Sequence, residues 1–167
     1  MNIVFLDVDH VLNSINKLSE VYQKTGKPHS SYAYPFDEKC LQNLKLIVQE
    51  TDAKIIVTST WRKEELGRTT LLRVLKEYEL DDLVIGYTPI LLGKAREYEI
   101  KQFLSVLSEV PNFVILDNDS DMGELTPFLV KTNWRVGLTE ENAREAIKKL
   151  KSVHLQNRIE VKWLWQG

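Results

Sequence analysis

Ile3-Val4-Phe5-Leu6-Asp7-Val8-Asp9-His10-Val11-Leu12-Asn13 is the stretch that decides the fold. Four apolar residues run straight into two acids separated by one valine, which is how a buried parallel strand reads when it ends at a functional edge. Side chains alternate along a strand, so Asp7 and Asp9 project to one side and Val8 to the other. In an open α/β sheet ligands bind at the carboxyl ends of the strands, and like charges held this close require a cation or a shared proton. The plainer alternative, one aspartate capping a turn and the other solvated, is common for Asp-x-Asp in loops. The place of this pair at the end of an apolar strand, and the matching clusters further on, weigh against it.

Working outward, apolar runs recur at Lys54 to Ser59, Leu83 to Tyr87, Phe113 to Leu116 and Phe128 to Lys131. Between them lie helical patterns. Asp37 can N-cap a helix with Cys40, Leu41, Leu44, Ile47 and Val48 on one face. Leu66, Leu71, Leu72, Val74 and Leu75 mark a second, and Ile100, Phe103, Leu104 and Leu107 a third. Thr139, followed by Glu140 and Glu141, opens a fourth that runs to about Leu150. Strands alternating with helices predict right-handed βαβ units in a doubly wound parallel sheet, an α/β, three-layer Rossmann-like fold. Pro89 keeps the third run out of a central position. The segment 14–35 has no core pattern; it reads as a small cap-like insertion after the first strand, with one helical turn around Ile15 to Lys24. Arg158 to Trp165 alternates as an amphipathic strand, either an edge covering the core or the interface of a homodimer.

With 167 residues, 43% of them apolar, the chain suffices for one well-buried core, so residues 1–167 are expected to form a single domain. A net charge of −2 gives no global field for nucleic acid or membrane, although a local patch is compatible with it. No apolar run has membrane-spanning length and no basic leader precedes the first strand, which predicts a cytoplasmic protein with no membrane partner. The single Cys40 excludes an internal disulfide and, with three scattered histidines, a structural zinc site. Neither a Gly-x-Gly-x-x-Gly fingerprint, a P-loop nor a Gly-x-Ser-x-Gly elbow is present.

Two other strands end in polar clusters. The second closes in Thr58, Ser59 and Thr60 before Trp61 and Arg62; a hydroxyl there either binds a phosphate oxygen without adding charge or caps the next helix. The fourth closes in Asp117-Asn118-Asp119-Ser120-Asp121, and the calcium-loop reading of that run fails because the EF-hand glycine and final glutamate are missing. Lys94 and Arg96 precede or open the third helix.

The first stretch resembles motif I of the haloacid dehalogenase (HAD) superfamily, hhhhDxDx(T/V)hN, in Asp7, Asp9, Val11, Leu12 and Asn13. It departs from the motif at His10, where the family usually has glycine. Thr58 matches the family's motif II hydroxyl, Lys94 or Arg96 its motif III cation, and Asp117 with Asp121 (or Asp119) its motif IV acids, Asn118 replacing a commoner aspartate. Trp61-Arg62 after the second strand's hydroxyls resembles one branch, the HAD domains of Swiss army knife RNA-repair proteins, and Arg96-x-x-Glu99-Ile100 resembles a pattern that some members carry at motif III. The resemblance implies a phosphomonoester hydrolase in which Asp7 is the nucleophile and Asp9 the acid and base. It implies Mg2+ held by Asp7, Asp9 and Asp117 with Asp121, Ser59 in further contacts, and His10 and Arg62 toward the substrate. With so small an insertion the site is expected to stay open, which suits a nucleic-acid end or a nucleotide. The alternatives are a dehalogenase proper, which the acid at Asp9 disfavours, and a catalytically silent binding or regulatory module that kept the fold.

Overall fold

The computed structural model describes residues 1–28 and 35–152. Its first strand, β1 (Asn2–Leu6), is the centre of a sheet completed by β2 (Lys54–Val57), β3 (Val84–Tyr87), β4 (Asn112–Asp117) and β5 (Leu129–Lys131). The spatial order is β3-β2-β1-β4-β5 and every pairing is parallel. Chain order reverses beside β1, so the crevice between the ends of β1 and β4 is the switch point where such sheets bind ligands. β3 lies at the edge, and Pro89, two residues beyond its end, stops it from continuing.

The alternation of β1 sorts its side chains into two cores. Val4 and Leu6 pack with helices α2 (Glu38–Thr51), α3 (Glu65–Lys76) and α5 (Glu140–Lys151). Ile3 and Phe5 face α4 (Arg96–Ser105) and the turn of 3₁₀ helix at Gly123–Phe128. Phe5 meets Phe103 and Phe113 edge to face at 5.7 and 5.5 Å, each such pair adding about 0.5–1.5 kcal/mol to the burial itself. Cys40 lies in the first core, where burial pushes its thiol up to about 12; it is a packing residue. The caps anticipated at Asp37 and Thr139 are both made, the latter as a capping box with Asn142.

The segment after β1 is more ordered than its sequence pattern suggests. Residues Ile15–Thr25 form helix α1, three turns in place of the single turn expected. Ser14 caps it by accepting from the Lys17 N–H, Gly26 ends it at φ 65°, and Glu20 pairs with Lys24 one turn on. Ile15, Leu18 and Val21 share one half-buried face of α1, and no residue of the helix is fully buried. Its first two N–H groups donate to the carbonyls of Trp134 and Arg135. The strand expected at Arg158 to Trp165, and the dimer contact assigned to it, lie outside the described residues, as do Tyr32 and Tyr34. No described helix is long and apolar enough to cross a membrane.

Candidate active site

The parallel ladder runs one residue past the strands. Thr58 donates its N–H to Leu6 O, and Asp7 donates to Leu116 O, at 2.8 and 3.0 Å. Continuing the register of Leu6 with Val57 and Leu116 sets Asp7 level with Thr58 on one side and Asp117 on the other. Three strands thus deliver a hydroxyl and two carboxylates to one edge, each nearly sealed from solvent.

Arg96 ties the carboxylates together. Its Nη1 lies 3.1 Å from Asp7 Oδ1 and also donates to Asp117 Oδ2. A cation in the first turn of a helix opposes the helix dipole, so these two acids, and not the helix, hold its charge there. Burial disfavours that charge, but Asp7 and Asp117 outweigh it and keep the guanidinium more firmly protonated than usual. Lys94 is the outer cation: its N–H turns back to Leu91 O and its ammonium sits 5.5 Å over the Tyr98 ring at the cleft wall. The choice that the sequence left open between Lys94 and Arg96 therefore falls to Arg96 for contact with the acids. These groups open onto a cleft of about 520 Å³, lined further by Lys63, Ile90, Leu91, Leu92, Asn118 and Asp119.

Asp9 stands in the turn beyond the strand. Its Oδ2 accepts from the Trp61 indole N–H and its Oδ1 from the Asn13 amide, both at 3.0 Å. Asn13 also accepts the His10 N–H at 2.7 Å. His10 takes φ 63°, the left-handed conformation that glycine would supply, at a cost of about 1 kcal/mol. The His10 N–H bond to Asn13 Oδ1 and the Thr132 hydroxyl's bond to the His10 carbonyl hold the residue there. Its Nδ1 is buried without a partner among the described residues.

The hydroxyls divide. Ser59 Oγ accepts from the Trp61 N–H and so caps the 3₁₀ turn at Thr60–Lys63. Thr58 Oγ1 is buried with no partner among the described residues and lies behind the residues that line the cleft. Arg62, expected to face substrate, has turned inward. Its five N–H groups serve the carbonyls of Thr58, Ser59, Thr88 and Pro89 and the Glu99 carboxylate, so none remains for a phosphate. Arg68 likewise donates to the Arg62 carbonyl. Asp121 is exposed and outside the cleft lining; its N–H bonds Asp119 Oδ1, whose own N–H bonds Asp117 Oδ1, so these bonds wind the loop. Asn118 and Asp119 line the cleft in its stead.

Among the described residues no group of three or more His, Cys, Asp or Glu side chains is gathered around one point. A cage is not what magnesium needs, since one or two carboxylates with water and substrate oxygens complete its octahedron. The donor set fits: Asp7 and Asp117 offer hard oxygens side by side, and their mutual repulsion favours a cation. Burial, and then the charge of Asp7, push the Asp117 carboxyl from 3.8 up to about 6 against the pull of Arg96. The folded protein thus keeps a proton that the unfolded chain has lost. The stability due to this group is complete below about pH 4 and lost as pH rises through about 6. In chelator, urea midpoints should fall over that window, and Asp117→Asn should flatten the slope; an unchanged slope in the variant would assign the pH dependence to other groups.

A sheet of this order, with paired acids at its switch point and a hydroxyl on the neighbouring strand end, is the architecture of HAD-type domains. The chain belongs to the family described as the HAD domain in Swiss Army Knife RNA repair proteins, whose pattern matches residues 3–143. That family points to a hydrolase. Comparison with curated proteins and with solved structures gives no match.

Proposed function

We propose that this protein hydrolyses phosphate monoesters by way of an aspartyl phosphate on Asp7. The observation that carries the reading is the convergence of Asp7, Asp117 and Arg96 at the floor of one cleft. Asp7 attacks phosphorus, forming an oxygen–phosphorus bond as the ester bond breaks, and Asp9 gives its proton to the departing oxygen. Water then attacks the phosphoryl group and its proton passes to Asp9. The bond to Asp7 breaks and inorganic phosphate leaves. Trp61 and Asn13 orient Asp9 for both transfers. Arg96 compensates charge on the phosphoryl oxygens, where positioning and electrostatics provide most of the rate. Asp7, Asp117 and the Asp9 carbonyl would hold magnesium, which would supply further positive charge to the transferring phosphoryl group when bound.

The cleft supports a substrate larger than a metabolite. Lys63 and Lys94 line it beside the exposed Ile90 and Leu92. Among the described residues nothing closes over a small ligand there, and the same lining can contact a phosphate backbone that continues past the reacting end. The family's description as an RNA-repair domain favours a nucleic-acid end. The test is a phosphatase screen over nucleotides, sugar phosphates and 3′- or 5′-phosphorylated oligonucleotides, with and without magnesium. An oligonucleotide should exceed its mononucleotide in kcat/KM by roughly tenfold or more, given one or two added phosphate contacts. A higher value for the mononucleotide would exclude the polymeric substrate, and full activity in excess chelator would exclude the metal.

A further inference from the structure

Helix α4 begins at Arg96, and its N-cap, Ala95, has no side chain to cap it. The residue that must be placed most accurately thus opens a helix without the usual anchor. Two glutamates in its first turn make up for this. Glu97 accepts the Glu124 N–H and lies over Gly123, where a Cβ would collide with its carboxylate. Glu99, only 6% exposed, accepts the Leu91 N–H at 3.1 Å and the Arg62 guanidinium at 2.6 Å. Arg62 in turn holds the carbonyls at the end of β2 and those following β3. One buried ion pair therefore joins the strand end carrying Thr58, the loop walling the cleft, and the helix carrying Arg96.

We propose that Arg62 and Glu99 are positioning residues that fix Arg96 against Asp7 and Asp117. The pair acts through Arg96 and does not touch substrate. Glu99 lies one helical turn after Arg96, so a shift of the pair moves the guanidinium along the helix axis relative to the acids. Lysine at position 62 could not replace the planar fork that satisfies five acceptors at once.

The inference rests on the phosphoryl-transfer reading, and the experiment separates the two. Glu99→Gln is made in the wild-type and Arg96→Ala backgrounds, with turnover of p-nitrophenyl phosphate and thermal midpoints measured for all four proteins. In the wild-type background kcat should fall roughly tenfold to a hundredfold, the cost of displacing a reacting group by about an ångström. Once Arg96 is gone the same substitution should change kcat by less than about twofold, because coupled residues do not add. Equal factors in both backgrounds would show that the pair serves folding alone and overturn the proposal. Should Glu99→Gln fail to fold, the uncharged pair Arg62→Met with Glu99→Leu takes its place, since removing both charges is tolerated far better than removing one. A folded double variant with wild-type kcat would also overturn it. If the wild type turns over no phosphate ester, the phosphatase reading fails, and the same cycle read in inorganic phosphate affinity by calorimetry still decides: non-additive losses support the pair, additive losses refute it.

Discussion

Asp7→Asn should lower turnover by at least about 10³-fold while the protein stays folded, because the amide keeps the carboxylate's shape and loses its nucleophilicity. Asp7 lies at the sheet's switch point, 3.1 Å from Arg96 and beside Asp117. Removing its charge relieves repulsion on Asp117, so the thermal midpoint of the metal-free variant should equal or exceed that of the wild type. Kinetics and melting curves on one preparation check both halves. Residual activity of more than a few per cent would rule out a covalent route through Asp7.

The second large effect belongs to Asp9→Asn. Loss of the acid and base should cost roughly 10²–10⁴-fold with alkyl phosphates, whose leaving oxygens need a proton. With p-nitrophenyl phosphate the first step needs little protonation, so the loss should be smaller by about tenfold or more. The contacts from Trp61 and Asn13 make this substitution gentle in shape: the amide oxygen can still accept one of the two bonds. Equal losses with good and poor leaving groups would remove Asp9 from proton transfer.

The fold and the acid-bearing strand ends were legible in the sequence because both rest on short-range pattern. Apolar runs of strand length broke off in Asp7, Thr58 and Asp117, and the structure sets those three residues level at one edge. What stayed hidden depends on contacts between distant segments. An arginine after a strand end reads the same whether it faces a phosphate or four carbonyls and a glutamate 37 positions away, which is where Arg62 went. Glu99 and Trp61 were visible only as motif letters; their work, holding Arg62 and Asp9, appears once β2 and α4 meet. Lys94 and Arg96 could not be ranked from spacing, because both flank the start of α4 and only the packed fold shows that Arg96 meets the acids. Helix α1 was legible as one turn around Ile15 to Lys24 and runs for three, because Ile15, Leu18 and Val21 make only a short, half-buried stripe. His10 looked like a defect in the motif, yet Asn13 and Thr132 secure the unusual backbone that it needs.

The central place of β1 also governs how the molecule is made. Asn2 and Asn112, whose side chains bond across the β1–β4 seam, stand 110 positions apart. A ribosome adding about 5–20 residues per second leaves β1 emerging roughly 5–20 s before β4 is complete. For that interval one edge of an almost wholly apolar strand is unpaired, and Asp7 has no Asp117 beside it. Asp7 and Asp9 are thus made well before Asp117 and enclosed only when β4 arrives, so the nascent chain passes through a stage in which a sticky, unfinished centre must be kept from pairing with its neighbours.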